Sequence, residues 1–164
     1  MKVLTVVLAI CMLSIIGCSN DEEEYNSEFF SSKAEEDELY QSSLAILIPS
    51  AEDGQAMSQG ILGNMYADGK GVPQDYKIAL YWHTLAAEQG HNISMYSLGH
   101  AYRNGEGVPQ NKIYAHMWYN LAHSQGHPLS GSDRDAVAGQ MTAVEITTAE
   151  QLAVECFAKE FKGC

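Results

Sequence analysis

Four cysteines and six histidines are the residues of this chain best suited to redox or metal chemistry. Cys11 lies in an N-terminal apolar run, Cys18 follows that run, and Cys156 and Cys164 stand eight apart near the C-terminus. On one straight helix that spacing puts the thiols about 12 Å apart, too far for a disulfide. Gly163 can end such a helix and let Cys164 fold back. A Cys156–Cys164 bond is therefore expected in an oxidising compartment, worth roughly 2–3 kcal/mol by loop closure. The alternative is a buried Cys156 beside a free Cys164. The histidines carry no metal signature. His123 and His127 are four apart, but Gly126 interrupts the helix that would align them. His83, His100 and His116 have no acidic or cysteine companion at ligand spacing, and His91 and His127 follow glycines as turn residues. No metal and no cofactor is expected.

Other catalytic patterns fail on inspection. Gly63 to Lys70 is one residue too long for a phosphate loop, with Gly71 in the hydroxyl position. There is no nucleophile elbow, no Ser-x-x-Lys and no His-Glu-x-x-His, so the chain reads as a non-enzyme. The formal net charge is −12, from 9 basic and 21 acidic residues, which argues against nucleic acid and against anionic headgroups as partners. Much of that charge is local, since residues 21–38 hold nine acids and one base.

The elements that would position any site start after an address. Lys2 and the apolar run Val3 to Ile16 make a helix of about 21 Å, short of the roughly 30 Å hydrocarbon core. That is a signal-peptide pattern. Ile15-Ile16-Gly17-Cys18 resembles a bacterial lipobox. The resemblance implies cleavage before Cys18, lipidation of Cys18, and a periplasmic protein held to the membrane through its lipid anchor alone. Multiple acyl chains make such an anchor stable. Ser19, where Asp would signal inner-membrane retention, favours the inner leaflet of the outer membrane. Residues 1–17 are then a lipoprotein signal peptide and 18–36 an acidic flexible tether. A docking arm for a basic partner is the other reading of that tether.

The body is an internal repeat. Residues 55–90 set over 91–126 match at fifteen of 36 positions without a gap. The matches include Leu62/Leu98, Gly63/Gly99, Tyr66/Tyr102, Gly69/Gly105, Gly71/Gly107, Pro73/Pro109, Gln74/Gln110, Ala79/Ala115 and both tryptophans, Trp82/Trp118. Each unit reads as two helices. Helix A runs from about Ala56 to Asp68, with Leu62 and Tyr66 on one face, and Gly69 and Gly71 end it. Pro73 fits near the start of helix B, whose buried stripe is Ala79, Trp82 and Ala86 and which stops at Gly90. A recurrent mid-helix glycine at 63 and 99 implies a neighbouring helix too close for a Cβ.

The pattern Leu62-Gly63-x-x-Tyr66-x-x-Gly69-x-Gly71-Val72, then Ala79-x-x-Trp82-x-x-x-Ala86-x-x-x-Gly90, recurs from Leu98 to Gly126 and resembles the Sel-1-like repeat, a relative of the tetratricopeptide repeat. The resemblance implies an all-α fold, an α/α solenoid of antiparallel helix pairs over residues 37–164. It would comprise two full 36-residue repeats, an N-terminal half-repeat with a helix from about Asp37 to Asp53 kinked at Pro49, and a C-terminal helical cap over 127–164. Met141-Thr142-x-x-Glu145 reads as a capping box opening the last helix. One branch of the family, with cysteine pairs inside its repeats, is associated with β-lactams; residues 55–126 contain no Cys, so that association does not carry over.

Tetratricopeptide-like solenoids bind partners on the concave face lined by helix A. The resemblance thus implies a protein or peptide partner there, bound by an adaptor or by an immunity-type inhibitor of a secreted toxin. A peptidoglycan-binding or modifying module is the alternative. The outward helix A positions are Met57, Gly60, Asn64, Ala67 and Asp68, with Ile93, Tyr96, His100, Arg103 and Asn104 in the second repeat; none of these pairs is identical. Asn64, Asp68, Tyr96, His100 and Arg103 are the candidate partner-binding residues. Tyr96, His100 and Arg103 form one stripe, and a pairing of Arg103 with Glu106 is the competing structural role.

Overall fold

The computed structural model describes residues 33–164 and contains, among them, seven helices and no strand. They are α1 (Lys33–Glu52), α2 (Ala56–Asp68), α3 (Tyr76–Ala87), α4 (Asn92–Asn104), α5 (Lys112–Ser124), α6 (Ser130–Ala138) and α7 (Ala143–Ala158). The fold is an α/α solenoid. Helices α2 and α3 are the A and B helices of the first repeat, and α4 and α5 those of the second. The expected signal peptide, Cys18 and residues 18–32 of the expected tether lie outside the described residues, but residues 33–36, expected to end the flexible tether, instead form the first turn of α1.

The A-to-B turn is built the same way twice. Gly69 and Gly105 cap α2 and α4 in the left-handed conformation. Gln74 Nε2 then donates to the Ala67 carbonyl at 2.7 Å, and Gln110 Nε2 to the Arg103 carbonyl at 2.6 Å. Asp75 Oδ1 accepts from the amides of Lys77 and Ile78, and Asn111 Oδ1 from those of Ile113 and Tyr114, which starts each B helix at an Asx cap. Pro73 therefore stands in the turn, ahead of the cap, and not in the first turn of helix B.

Those turns also stack the units. Gly71 and Gly107 both hold positive φ, and a Cβ on either would strike the preceding B helix, at Tyr40 Cβ (2.5 Å) and at the Tyr76 carbonyl oxygen (2.7 Å). Tyr40 and Tyr76 are themselves one repeat apart, so α1 is a B helix. Its Leu44 and Ala51 are buried with Leu62 and Met65 of α2. Gln59 Nε2 donates to the Ala51 carbonyl across that joint. Pro49 lies inside the helix, three residues before its end.

The larger core gathers Met95 and Leu98 of α4, Met117, Trp118 and Leu121 of α5, and Ala153 and Cys156 of α7. Thr142 caps α7 in a full capping box with Glu145. Trp118 is buried at 3% exposure, but its counterpart Trp82 is only half-buried, and His83 holds the deep position of α3 at 4%.

The glycines at 63 and 99 do mark a close approach, made by an aromatic ring and not by helix backbone. A Cβ at Gly63 would stand 2.8 Å from the His83 ring, and one at Gly99 2.6 Å from the Tyr119 ring. His83 and Tyr119 occupy one repeat position, each reaching from helix B across its own helix A.

Helix α7 ends at Ala158, before Gly163. Glu160 and Phe161 take left-handed conformations, φ 53° and 66°, and turn the chain back. Cys156 and Cys164 are joined, with Cα atoms 5.5 Å apart. Phe161 packs into the larger core beside Gly90, and the Gly163 amide donates to Glu88 Oε1 at 3.0 Å.

Candidate functional site

A groove of about 260 Å³ opens between α2, α3 and α4. Its floor is Ala79, His83 and Ala101, all buried, with Leu80 beside them. Its sides are Asn64, Ala67 and Asp68 from α2, Tyr76 from α3, and Tyr96, Ser97 and His100 from α4, with Glu106 from the following turn. Four of the expected partner-binding residues meet here: Asn64, Asp68, Tyr96 and His100. Sequence reasoning missed Tyr76, His83, Ser97 and Glu106. The 36-residue shift would have pointed to His83, because it aligns with Tyr119 immediately after the paired tryptophans.

The floor is held by a hydrogen-bonded chain. The Ser94 hydroxyl, fully buried, lies 3.2 Å from His83 Nδ1 and 2.9 Å from His91 Nδ1. Burial, and secondarily the nearby His91, push the His83 pKa down to about 4, so the ring is neutral at pH 7. Burial lowers His91 as well.

Along the sides, His100 Nδ1 is 3.3 Å from Glu106 Oε2, and Asn104 Nδ2 donates to Glu106 Oε1 at 3.0 Å. Lys70 pairs with Asp68 at 2.7 Å, both half-exposed.

Two expected contacts go elsewhere. Arg103 does not border the groove and does not pair with Glu106. Its Nη1 donates to Asp133 Oδ1 at 2.8 Å, and its guanidinium lies 5.9 Å from the Tyr119 ring centre. The Tyr96 hydroxyl donates to Asp133 Oδ2, also at 2.8 Å, and the Tyr96 ring stacks on His127 at 4.2 Å. Tyr96 thus borders the groove while serving as a joint to α6. Gly60, the Tyr96 counterpart, does not face outward either: it is buried, and a Cβ there would meet the His91 ring at 2.6 Å. An imidazole one repeat on from the other, His91 or His127, covers this position in both units. The contacts of Tyr96 and Arg103 were not legible from the repeat because their partner, Asp133, lies in the cap.

The same space one repeat later is filled. Ala79, His83 and Ala101 correspond to Ala115, Tyr119 and Val137, which form a buried cluster with Tyr96, Tyr102 and Met141 against it. Larger side chains stand at two of the three floor positions, Tyr119 for His83 and Val137 for Ala101, and are buried at 0% and 3% exposure. A further repeat position, Met57, Ile93 and Leu129, stays apolar and exposed at 68%, 47% and 59% at the start of successive A helices. Among the described residues no group of His, Cys, Asp and Glu is placed to hold a metal ion.

Comparison with known proteins agrees with this architecture. Residues 56–91 and 92–127 each match the Sel1 repeat family model, one residue later than the register of the internal match. The chain is similar to the crystal structure of a protective antigen of uropathogenic Escherichia coli strains displaying an SLR fold. That likeness has 30% identity and a TM-score of 0.70, covering 73% of this chain and 26% of the other. It is also similar to a Sel1 repeat protein from Oxalobacter formigenes, at 35% identity and a TM-score of 0.54, covering 56% of this chain and 26% of the other. The chain thus spans about a quarter of the length of either structure. No curated protein matches it.

Proposed function

We propose that this pair of Sel1 repeats is the recognition part of a lipid-anchored periplasmic adaptor or inhibitor that binds a protein partner in the α2–α3–α4 groove. Sel1-repeat proteins generally mediate protein–protein interaction. The observation that carries the reading is the contrast between the two equivalent spaces. The framework residues Leu62/Leu98, Gly63/Gly99 and Ala79/Ala115 are shared, yet one space is open and the other packed shut. A chain that only needed to fold could close both with the same side chains. The apolar row at Met57, Ile93 and Leu129 adds surface of the kind that marks an interaction site. The anchor rests on Ile15-Ile16-Gly17-Cys18, with Ser19 favouring the outer membrane.

Two experiments test this. In cells, Cys18→Ser should release the chain from the membrane fraction, and intact mass should show loss of residues 1–17 with acyl chains added at Cys18. A photo-crosslinking residue at Asn64 should trap a protein, while one at Val154 should not. Ala101→Val with His83→Tyr imports the packed arrangement of the second repeat and should abolish the Asn64 crosslink while preserving helicity. Persistence of that crosslink in the filled variant would overturn the groove as the site. Capture of muropeptide in place of protein would overturn the partner class.

A further inference from the structure

The groove has a composition that selects one kind of side chain. Its inner surface is small and aliphatic: Ala67, Ala79, Ala101 and Leu80. Its border carries two carboxylates, Asp68 and Glu106, and two tyrosines, Tyr76 and Tyr96. No lysine or arginine borders it. Of the cations close to its rim, Lys70 pairs with Asp68 and Arg103 is committed to Asp133. His83 in the floor is neutral at pH 7 and opposes no cation. At about 260 Å³ the space is below the usual range of a small-molecule pocket, roughly 300–1,000 Å³, and suits a single long side chain.

We propose that the groove receives one lysine or arginine side chain of the protein partner, its methylene stem against Ala67, Ala79, Ala101 and Leu80 and its cation held by Asp68 and Glu106. Long basic side chains bury their stems against apolar surface while the head stays at a polar rim, which is the layout found here. Tyr76 supplies an aromatic group at the rim that favours a cation, whereas the Tyr96 ring is already stacked on His127. The acidic segment 21–38 of this chain is excluded as the occupant by like charge. Lys70 already touches Asp68, but both members are half-exposed, and such pairs contribute little. An incoming cation with its stem buried displaces it.

This assignment rests on the adaptor reading, and the two fail separately. The full chain, purified in detergent, is titrated with N-acetyl-lysine amide, N-acetyl-arginine amide and the neutral N-acetyl-norleucine amide at millimolar concentration, following backbone amide shifts by NMR. The basic amides should move Ala67, Ser97 and Ala101; the neutral one should not. Asp68→Asn and Glu106→Gln should each weaken binding by roughly three- to tenfold, and Lys70→Ala should strengthen it about twofold by freeing Asp68. Equal shifts with norleucine amide, no shifts at all, or unchanged affinity in both carboxylate variants would overturn the assignment. If the Asn64 crosslink survives any of those results, the adaptor reading stands without it. A normal titration with no protein crosslinked would do the reverse.

Discussion

Arg103 Nη1 donates to Asp133 Oδ1 at 2.8 Å, fastening helix A of the second repeat to the cap helix α6. The other oxygen of the same carboxylate accepts from Tyr96. Asp133→Ala should therefore leave a half-buried guanidinium and a phenol without their acceptor. The expected loss is about 1–3 kcal/mol, read from urea unfolding at pH 7. Because α6 is the element released, amide exchange should accelerate most in residues 130–138. A variant as stable as the parent would show that the cap is held by apolar contacts alone.

Acid should weaken the fold through His83. Its pKa is lowered from 6.5 to about 4 in the folded protein by burial, with His91 adding to the effect. The unfolded state therefore takes up the proton first as pH falls. Stability is full above pH 6.5 and declines on the way down to about 4, and the part due to His83 amounts to about 2 kcal/mol by pH 5. His91, His116 and His127, also lowered by burial, add to the slope in the same direction. Urea midpoints at pH 7.5 and pH 5 should differ less in His83→Gln than in the parent. An identical pH slope in the two would remove His83 from the account.

Gly63→Ala should destabilise, although alanine is the better helix former by about 1 kcal/mol. The added methyl would sit 2.8 Å from the His83 ring, so overpacking of about 1–3 kcal/mol outweighs the propensity gain. His83→Ala in the same chain should relieve the clash. The double variant should then lose less than the two single losses combined. Simple additivity would rule out the ring contact as the reason for the glycine.

Replacing Cys156 and Cys164 by Ser should cost about 2–3 kcal/mol through the lost loop constraint. Dithiothreitol should lower the melting temperature of the parent to that of the variant. Parent and variant melting together without reductant would mean that the bond is not formed in the isolated protein.

What the sequence revealed followed from how far apart the cooperating residues lie. The helix pairs were legible because Leu62, Tyr66, Gly69 and Gly71 act within one or two turns of chain, and the repetition of that spacing doubled the signal. The half-repeat was legible from Ala51-Glu52-Asp53-Gly54, which lies 36 residues before Ala87-Glu88-Gln89-Gly90, and Tyr40 and Leu44 bear it out by standing one repeat before Tyr76 and Leu80. The depth of His83 was hidden because the adjacent Trp82 is the more apolar residue and took its place in the expected stripe. The roles of Tyr96 and Arg103 were hidden because Asp133 belongs to the cap, where no second copy exists to compare. Even so, Ser94 and Ser130, both fully buried, and His91 and His127, both covering an A helix, carry the 36-residue register into that cap.

The C-terminal hook gives the stack a direction. Repeat arrays held only by neighbour contacts can fray from either end. Here the last residues are tied covalently to α7, their aromatic side chain is seated among residues of the second repeat, and the Gly163 amide reaches Glu88 at the end of α3. That end works as a latch. Opening should begin at α1 and proceed towards the second repeat, like a zip with one end sewn. The latch also limits growth: an extra repeat inserted after α5 would have to displace it, whereas one inserted before α2 would leave it untouched.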